Sequence, residues 1–132
     1  MKYKFPKSPQ KERSQIIKEL DKLISAKVKK RAKGKCVKCG LVKKNAGVTH
    51  YFSRRYIGTR WDFDNLDWAC WGCHYYWMEK DKTPGSWYHA YMTRKLGNRK
   101  FELLGIRAYA VTKFPTSDLK LLVEVFKKGK SK

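Results

Sequence analysis

Apolar positions along the chain fall into two helical stripes, one short alternating run and an aromatic-rich middle. Ile16, Ile17, Leu20, Leu23, Ile24 and Val28 recur in steps of three and four, while Lys11, Arg13, Lys18, Lys22, Lys27 and Lys29 occupy the other faces. Ser8-Pro9 supplies a capping hydroxyl and a first-turn proline, so the spacing predicts a helix over 9–31, ended by Gly34. Its basic face is either simply solvated or laid along phosphates. Val48 to Phe52 alternates and predicts a short strand, with Trp61 to Phe63 as its hairpin partner. A helix is predicted from near Cys73 through Glu79. The stretch Asp81 to Gly85 then breaks the chain, and Thr83 or Ser86 caps a helix over about 85–96 that Gly97 ends. Trp87, Tyr88, Tyr91, Met92 and Leu96 give this helix a large aromatic and apolar face. A shorter helix over Arg99–Leu104 stops near Gly105, and 106–113 carry no assignment. Thr116-Ser117-Asp118 opens the last helix, whose buried stripe is Leu119, Leu122, Val123 and Phe126. Residues 1–7 read as loose, and Lys127 to Lys132 as a basic tail.

Charge changes this picture. Lysine and arginine number 32 against 11 acidic residues in 132, a formal net charge of +21. A domain repels itself for carrying that excess, and its usual use is a polyanion, most often nucleic acid. Charge alone also suits a ribosome or a membrane surface. No apolar run approaches the roughly 18 residues of a membrane span. The opening Met1-Lys2-Tyr3-Lys4-Phe5-Pro6 lacks the apolar centre of a signal peptide. The reading is therefore a cytoplasmic protein with no membrane partner, in a reducing compartment that favours metal over disulfide for paired cysteines.

The cysteines come as Cys36-Val37-Lys38-Cys39-Gly40 and Cys70-Trp71-Gly72-Cys73. Each turn aims two thiolates at one point, and together they supply the four ligands of a tetrahedral Zn²⁺. Four thiolates leave no open coordination position, so the predicted zinc is structural, and its binding free energy becomes folding free energy. Thirty residues separate Cys39 from Cys70, so something folded lies between them.

That insert carries His50 in the predicted strand and Asn65 after the hairpin, and His74 follows the last cysteine. A ββα arrangement can bring the three into one cleft. Cleaving a phosphodiester requires an activated water, neutralised phosphate charge and help for the leaving oxygen. A neutral histidine can take the proton at about pH 7. A Mg²⁺- or Mn²⁺-type ion can polarise the phosphoryl oxygen. An asparagine carbonyl can fix the imidazole tautomer or ligate that ion. The bland readings are a structural His50, a turn-forming Asn65 and a His74 that caps a helix or bonds a zinc thiolate. His89 reads as a helix-face residue. Arg54, Arg55 and Arg60 flank the cleft, and arginine's planar fork suits phosphate. Most of the aromatics between Trp68 and Tyr91 read as packing, with one or two available to stack on unpaired bases.

Asn65-Leu66-Asp67-Trp68-Ala69-Cys70-Trp71-Gly72-Cys73-His74 resembles the second half of the HNH (ββα-metal) endonuclease motif. The wider pattern, from Cys36 and Cys39 through Thr49-His50-Tyr51-Phe52-Ser53-Arg54 and Thr59-Arg60-Trp61-Asp62 to Asn65, Cys70 and Cys73, is similar to the phage NinG/Rap recombination proteins. The likeness continues through Tyr88, Arg94-Lys95-Leu96-Gly97 and Asp118-Leu119, about residues 34–126 in all. It implies a metal-dependent endonuclease for branched recombination DNA such as Holliday junctions. On that resemblance His50 falls on the general base, Asn65 on the motif asparagine, and His74 on the divalent-metal ligand, where NinG-like proteins often carry Asn. Thr49 stands where many HNH enzymes place an Asp or His ligand, and Asp62, Asp64 or Asn65 could supply it instead.

The implied fold class is α+β: a small ββα-metal (HNH-like) core with a structural four-cysteine zinc site, flanked by a long N-terminal helix and C-terminal helices. The divisions are a basic helix at 1–33, the zinc-stapled core at 34–82 and a helical region with basic tail at 83–132, forming one compact domain. A homodimer suits paired cuts in a junction, and helix 9–31 could provide its interface. The alternatives are a non-catalytic zinc-stabilised DNA-binding or architectural protein, and an RNA- or ribosome-associated zinc protein.

Overall fold

Ser8 begins the first helix as its side chain predicts. Its Oγ accepts from the Lys11 N–H at 3.2 Å, with Pro9 in the first turn, and helix α1 runs Pro9–Ala32. Lys33, in a left-handed conformation at φ 55°, closes it, one residue ahead of Gly34. These features come from a computed structural model that describes residues 8–129. The loose segment 1–7 and the last part of the basic tail, 130–132, lie outside the described residues.

Two antiparallel strands, β1 (Ala46–His50) and β2 (Leu66–Cys70), form the sheet, with His50 opposite Leu66 and Ala46 opposite Cys70. Strand alternation sends Val48, Leu66 and Trp68 to one face, where they pack with Leu20, Ile24 and Val28 of α1 and with Trp61. Leu119 and Val123 of α4 (Thr116–Lys128) complete this core. The apolar stripe of α1 is thus buried inside one chain. The other face carries Thr49, Asp67 and Ala69 and lies against α3 (Trp87–Ala110). Both faces are covered, so every residue of β2 is buried.

Several boundaries differ from the sequence reading. The second strand is Leu66–Cys70, not Trp61–Phe63. Asp62 turns that stretch instead: its Oδ1 accepts from the Asp64 N–H at 3.0 Å and starts a 3-10 turn at Phe63–Asn65. The first strand ends at His50, because Tyr51 leaves the sheet to pack edge-on against Tyr88 and Phe101. Gly97, non-helical at φ 78° and ψ 160°, ends the first helical stretch of α3 as expected, and the second, across that kink, passes Gly105 to reach Ala110. The predicted helix after Cys73 is a short turn, α2 (Trp71–Cys73), continuing as a π turn over His74–Met78. Thr116 begins α4 as expected, but behind Pro115 and without a side-chain cap. The molecule is thus mixed helix with a small antiparallel sheet, the α+β class expected. Among the described residues no helix is long and apolar enough to cross a membrane.

Candidate metal centre and histidine pocket

The first cysteine turn is tied at three points. Gly40 N–H donates to the Cys36 carbonyl at 2.9 Å, Cys36 N–H to Leu41 at 2.9 Å, and Val37 N–H to the Trp68 carbonyl of β2 at 2.8 Å. The second turn begins on the last residue of β2, where Cys70 Sγ accepts from the Cys73 N–H at 3.5 Å. The four sulfurs of Cys36, Cys39, Cys70 and Cys73 lie within 4.8 Å of one another, and Cys39 Sγ is 3.9 Å from Cys70 Sγ. A tetrahedron with metal–sulfur bonds of about 2.3 Å has edges of about 3.8 Å, so the cluster could hold a metal ion such as zinc. Burial acts to raise the Cys36 thiol, but the N–H groups of Cys39, Cys70 and Lys38 outweigh it and bring it down to about 6. Burial and the neighbouring cysteines push Cys73 up to about 12. A divalent cation removes that mutual opposition and allows all four to ionise.

His50 closes β1 on the α1 side of the sheet, half-buried in a pocket of about 180 Å³ with Asp21, Ile24, Ser25, Val48 and Arg54. Its Nε2 lies 3.1 Å from the Arg60 carbonyl. A carbonyl only accepts, so Nε2 carries the hydrogen and Nδ1 is the basic nitrogen. Burial, with the charges of Arg54 and Arg60, lowers the imidazole to about 4 despite the opposing effects of that hydrogen bond and of Asp21. It is therefore neutral at physiological pH. Its own backbone carbonyl accepts from Lys82 Nζ at 3.2 Å.

Asn65 does not share that pocket. It is fully buried, with Oδ1 accepting from the Phe52 N–H at 2.8 Å and Nδ2 donating to the carbonyls of Phe52 at 2.9 Å and Thr59 at 3.1 Å. The amide is thus fully engaged, and the expectation that it binds a divalent ion or a water is corrected: it clamps the long connection between β1 and β2. Asp62 and Asp64 are corrected likewise. Asp62 Oδ2 is 2.9 Å from Arg107 and Asp64 Oδ2 is 3.6 Å from it, so both face α3. Thr49 lies on the opposite face from His50, its Oγ1 3.3 Å from Tyr88 Oη. His74 lines a neighbouring pocket that shares Val48 with the His50 pocket, and its Nδ1 is 3.9 Å from Glu79. His50, Asn65 and His74 therefore do not meet in one cleft. Apart from the cysteines, no group of three or more His, Cys, Asp or Glu ligands converges among the described residues. Support for a catalytic Mg²⁺ or Mn²⁺ is thus lacking among the described residues.

The arginines divide by role. Arg60 donates to both oxygens of Asp21, at 3.1 and 2.6 Å, and Trp61 Nε1 donates to Oδ1 at 2.8 Å. Arg54 adds a bond to Oδ2 at 3.0 Å but is largely exposed. Burial would raise the Asp21 carboxyl, but these partners hold it below the usual carboxylate range. Arg55 is exposed, bonded to Tyr56. Asp21 was not singled out from sequence, where it is one of three acids, with Glu12 and Glu19, on a lysine-rich helix. Compared with family models, curated proteins and solved structures, the chain matches none.

Proposed function

We propose that this protein is a zinc-stapled, HNH-like endonuclease that hydrolyses DNA phosphodiesters with His50 as general base. The observation that carries the reading is the state of His50: neutral, fixed by a backbone carbonyl through one nitrogen, and in a pocket beside an arginine. In the proposed step a water oxygen attacks phosphorus while Nδ1 takes its proton. The P–O bond to the leaving sugar oxygen breaks, and that oxygen is protonated from solvent. Arg54 and Arg55 neutralise the phosphate. Arg60 and Asn65 are positioning residues: one holds the imidazole through its carbonyl, the other holds the loop that carries Arg60. The four-cysteine cluster holds a structural zinc that joins both ends of the hairpin. Branched recombination DNA is the substrate class that the resemblance to NinG/Rap proteins supplies.

The test incubates zinc-loaded protein with a four-way junction and a matched duplex, in EDTA, Mg²⁺ and Mn²⁺. Junction cleavage that His50→Ala abolishes, with binding retained, is the expected result. Cleavage that survives His50→Ala overturns the assignment. The absence of a converged cation site among the described residues favours a second reading, a non-catalytic zinc-stabilised DNA-binding protein, and binding without cleavage under every condition would establish it.

A further inference from the structure

One surface carries large aromatic rings that the core does not use. Trp71, Tyr75, Tyr76 and Trp77 are 57, 48, 58 and 57% exposed, although they adjoin the cysteine cluster. The π turn explains how. Met78 points inward with no exposure and anchors the segment in the core beside Cys36 and Cys70, while its neighbours are turned outward. Trp71 and Tyr75 stack with ring planes 4° apart and centroids 5.1 Å apart, a preformed flat face. Lysines interleave with the rings: Lys80 Nζ is 5.7 Å from the Tyr75 centroid and 5.5 Å from that of Tyr76, and Lys38 Nζ is 4.2 Å from that of Trp77. Beside Trp71 opens a pocket of about 330 Å³, lined by Lys44, Asn45, Gly47 and His74. That is within the usual size range for a small-ligand site.

A contiguous exposed aromatic patch marks an interaction surface. Its flanking lysines, on a chain of net charge +21, select an anionic partner with flat apolar faces. We propose that this aromatic surface binds the unpaired bases of single-stranded nucleic acid. One base stacks on the Trp71–Tyr75 face, a neighbouring base occupies the pocket beside Trp71, and Lys44 and Lys80 meet the backbone phosphates. The inference rests on the nucleic-acid part of the proposed function and requires no catalysis.

Fluorescence anisotropy with a labelled 15-nucleotide oligo-dT and a 15-base-pair duplex of mixed sequence tests it on the full, zinc-loaded chain. Trp71→Ala and Tyr75→Ala are each expected to weaken oligo-dT binding by about tenfold or more, with duplex binding changed less than about twofold. Trp71→Phe, which keeps a ring, should recover most of the loss. Metal content measured on each variant shows that the cysteine cluster is intact. In the wild type, oligo-dT should also quench tryptophan fluorescence. Unchanged oligo-dT affinity in both alanine variants, or equal losses on both probes, would overturn the proposal. Wild-type binding to the duplex alone would overturn it and leave the endonuclease reading standing. Binding to neither probe would overturn the proposal and leave the endonuclease reading to the junction-cleavage assay.

Discussion

Replacing Asn65 by Asp keeps the side-chain shape and removes its donors. In the native chain Nδ2 donates to two carbonyls, at 2.9 and 3.1 Å, in a site with no solvent exposure. A carboxylate there turns an oxygen toward both carbonyls. Thr59's carbonyl keeps the Asp62 N–H at 3.3 Å, but Phe52's is left without a donor, which costs about 1–3 kcal/mol, so Asn65→Asp should cost at least that before the burial of a charge is counted. That is a large share of an ordinary domain's stability of about 5–15 kcal/mol. Urea unfolding of the zinc-loaded protein, followed by tryptophan fluorescence at neutral pH, measures it. With a slope of roughly 1–3 kcal/mol per molar, the midpoint should fall by roughly 1 M or more. If Asn65 faced a cation, as the HNH resemblance implies, Asp would be the better ligand. A variant as stable as wild type that gained Mn²⁺ affinity would refute the clamp and restore the metal-ligand role.

His50 makes stability depend on pH. Its pKa falls from 6.5 to about 4 on folding, so between those values the unfolded chain binds a proton that the native chain refuses. That contribution is present above pH 6.5 and is lost as pH falls toward 4, about 3 kcal/mol in all; urea titrations of wild type and His50→Gln across this window should show the slope in the wild type only. Stripping the metal from the four-cysteine cluster should unfold the hairpin region, with a loss of near-ultraviolet circular dichroism that one equivalent of Zn²⁺ reverses and Cys39→Ser prevents from being restored.

Local chemistry made much of this fold legible. Ser8-Pro9 placed the start of α1 because a hydroxyl and a proline act within one turn. The two cysteine pairs placed the cluster because few other arrangements satisfy four thiols at that spacing. What sequence could not supply was the partner of each element. β1 pairs with the residues that run into the second cysteine turn, a choice made by tertiary contacts with α1 and α3 and not by alternation. Gly97 marked the break between two helical stretches, but the second runs past Gly105 to Ala110, where its far side packs on the loop: Phe52 and Tyr56 meet Tyr109 edge-on. The place of His50 in a strand between the cysteine pairs was legible. The use of Asn65 was not, because a motif records a residue and not which of its atoms face backbone.

Asp21 gives Arg54 and Arg60 a counterion that belongs to the same polypeptide. A phosphate that draws Arg54 away displaces a tethered carboxylate, not a dissolved anion, so the only ions freed are the cations condensed on the DNA. Asp21 stays neutralised meanwhile, because Arg60 and Trp61 keep hold of it. An Arg54–phosphate contact should accordingly still register in the ionic-strength dependence of DNA affinity, but the exchange of partners makes its net gain in affinity smaller than that of Arg55.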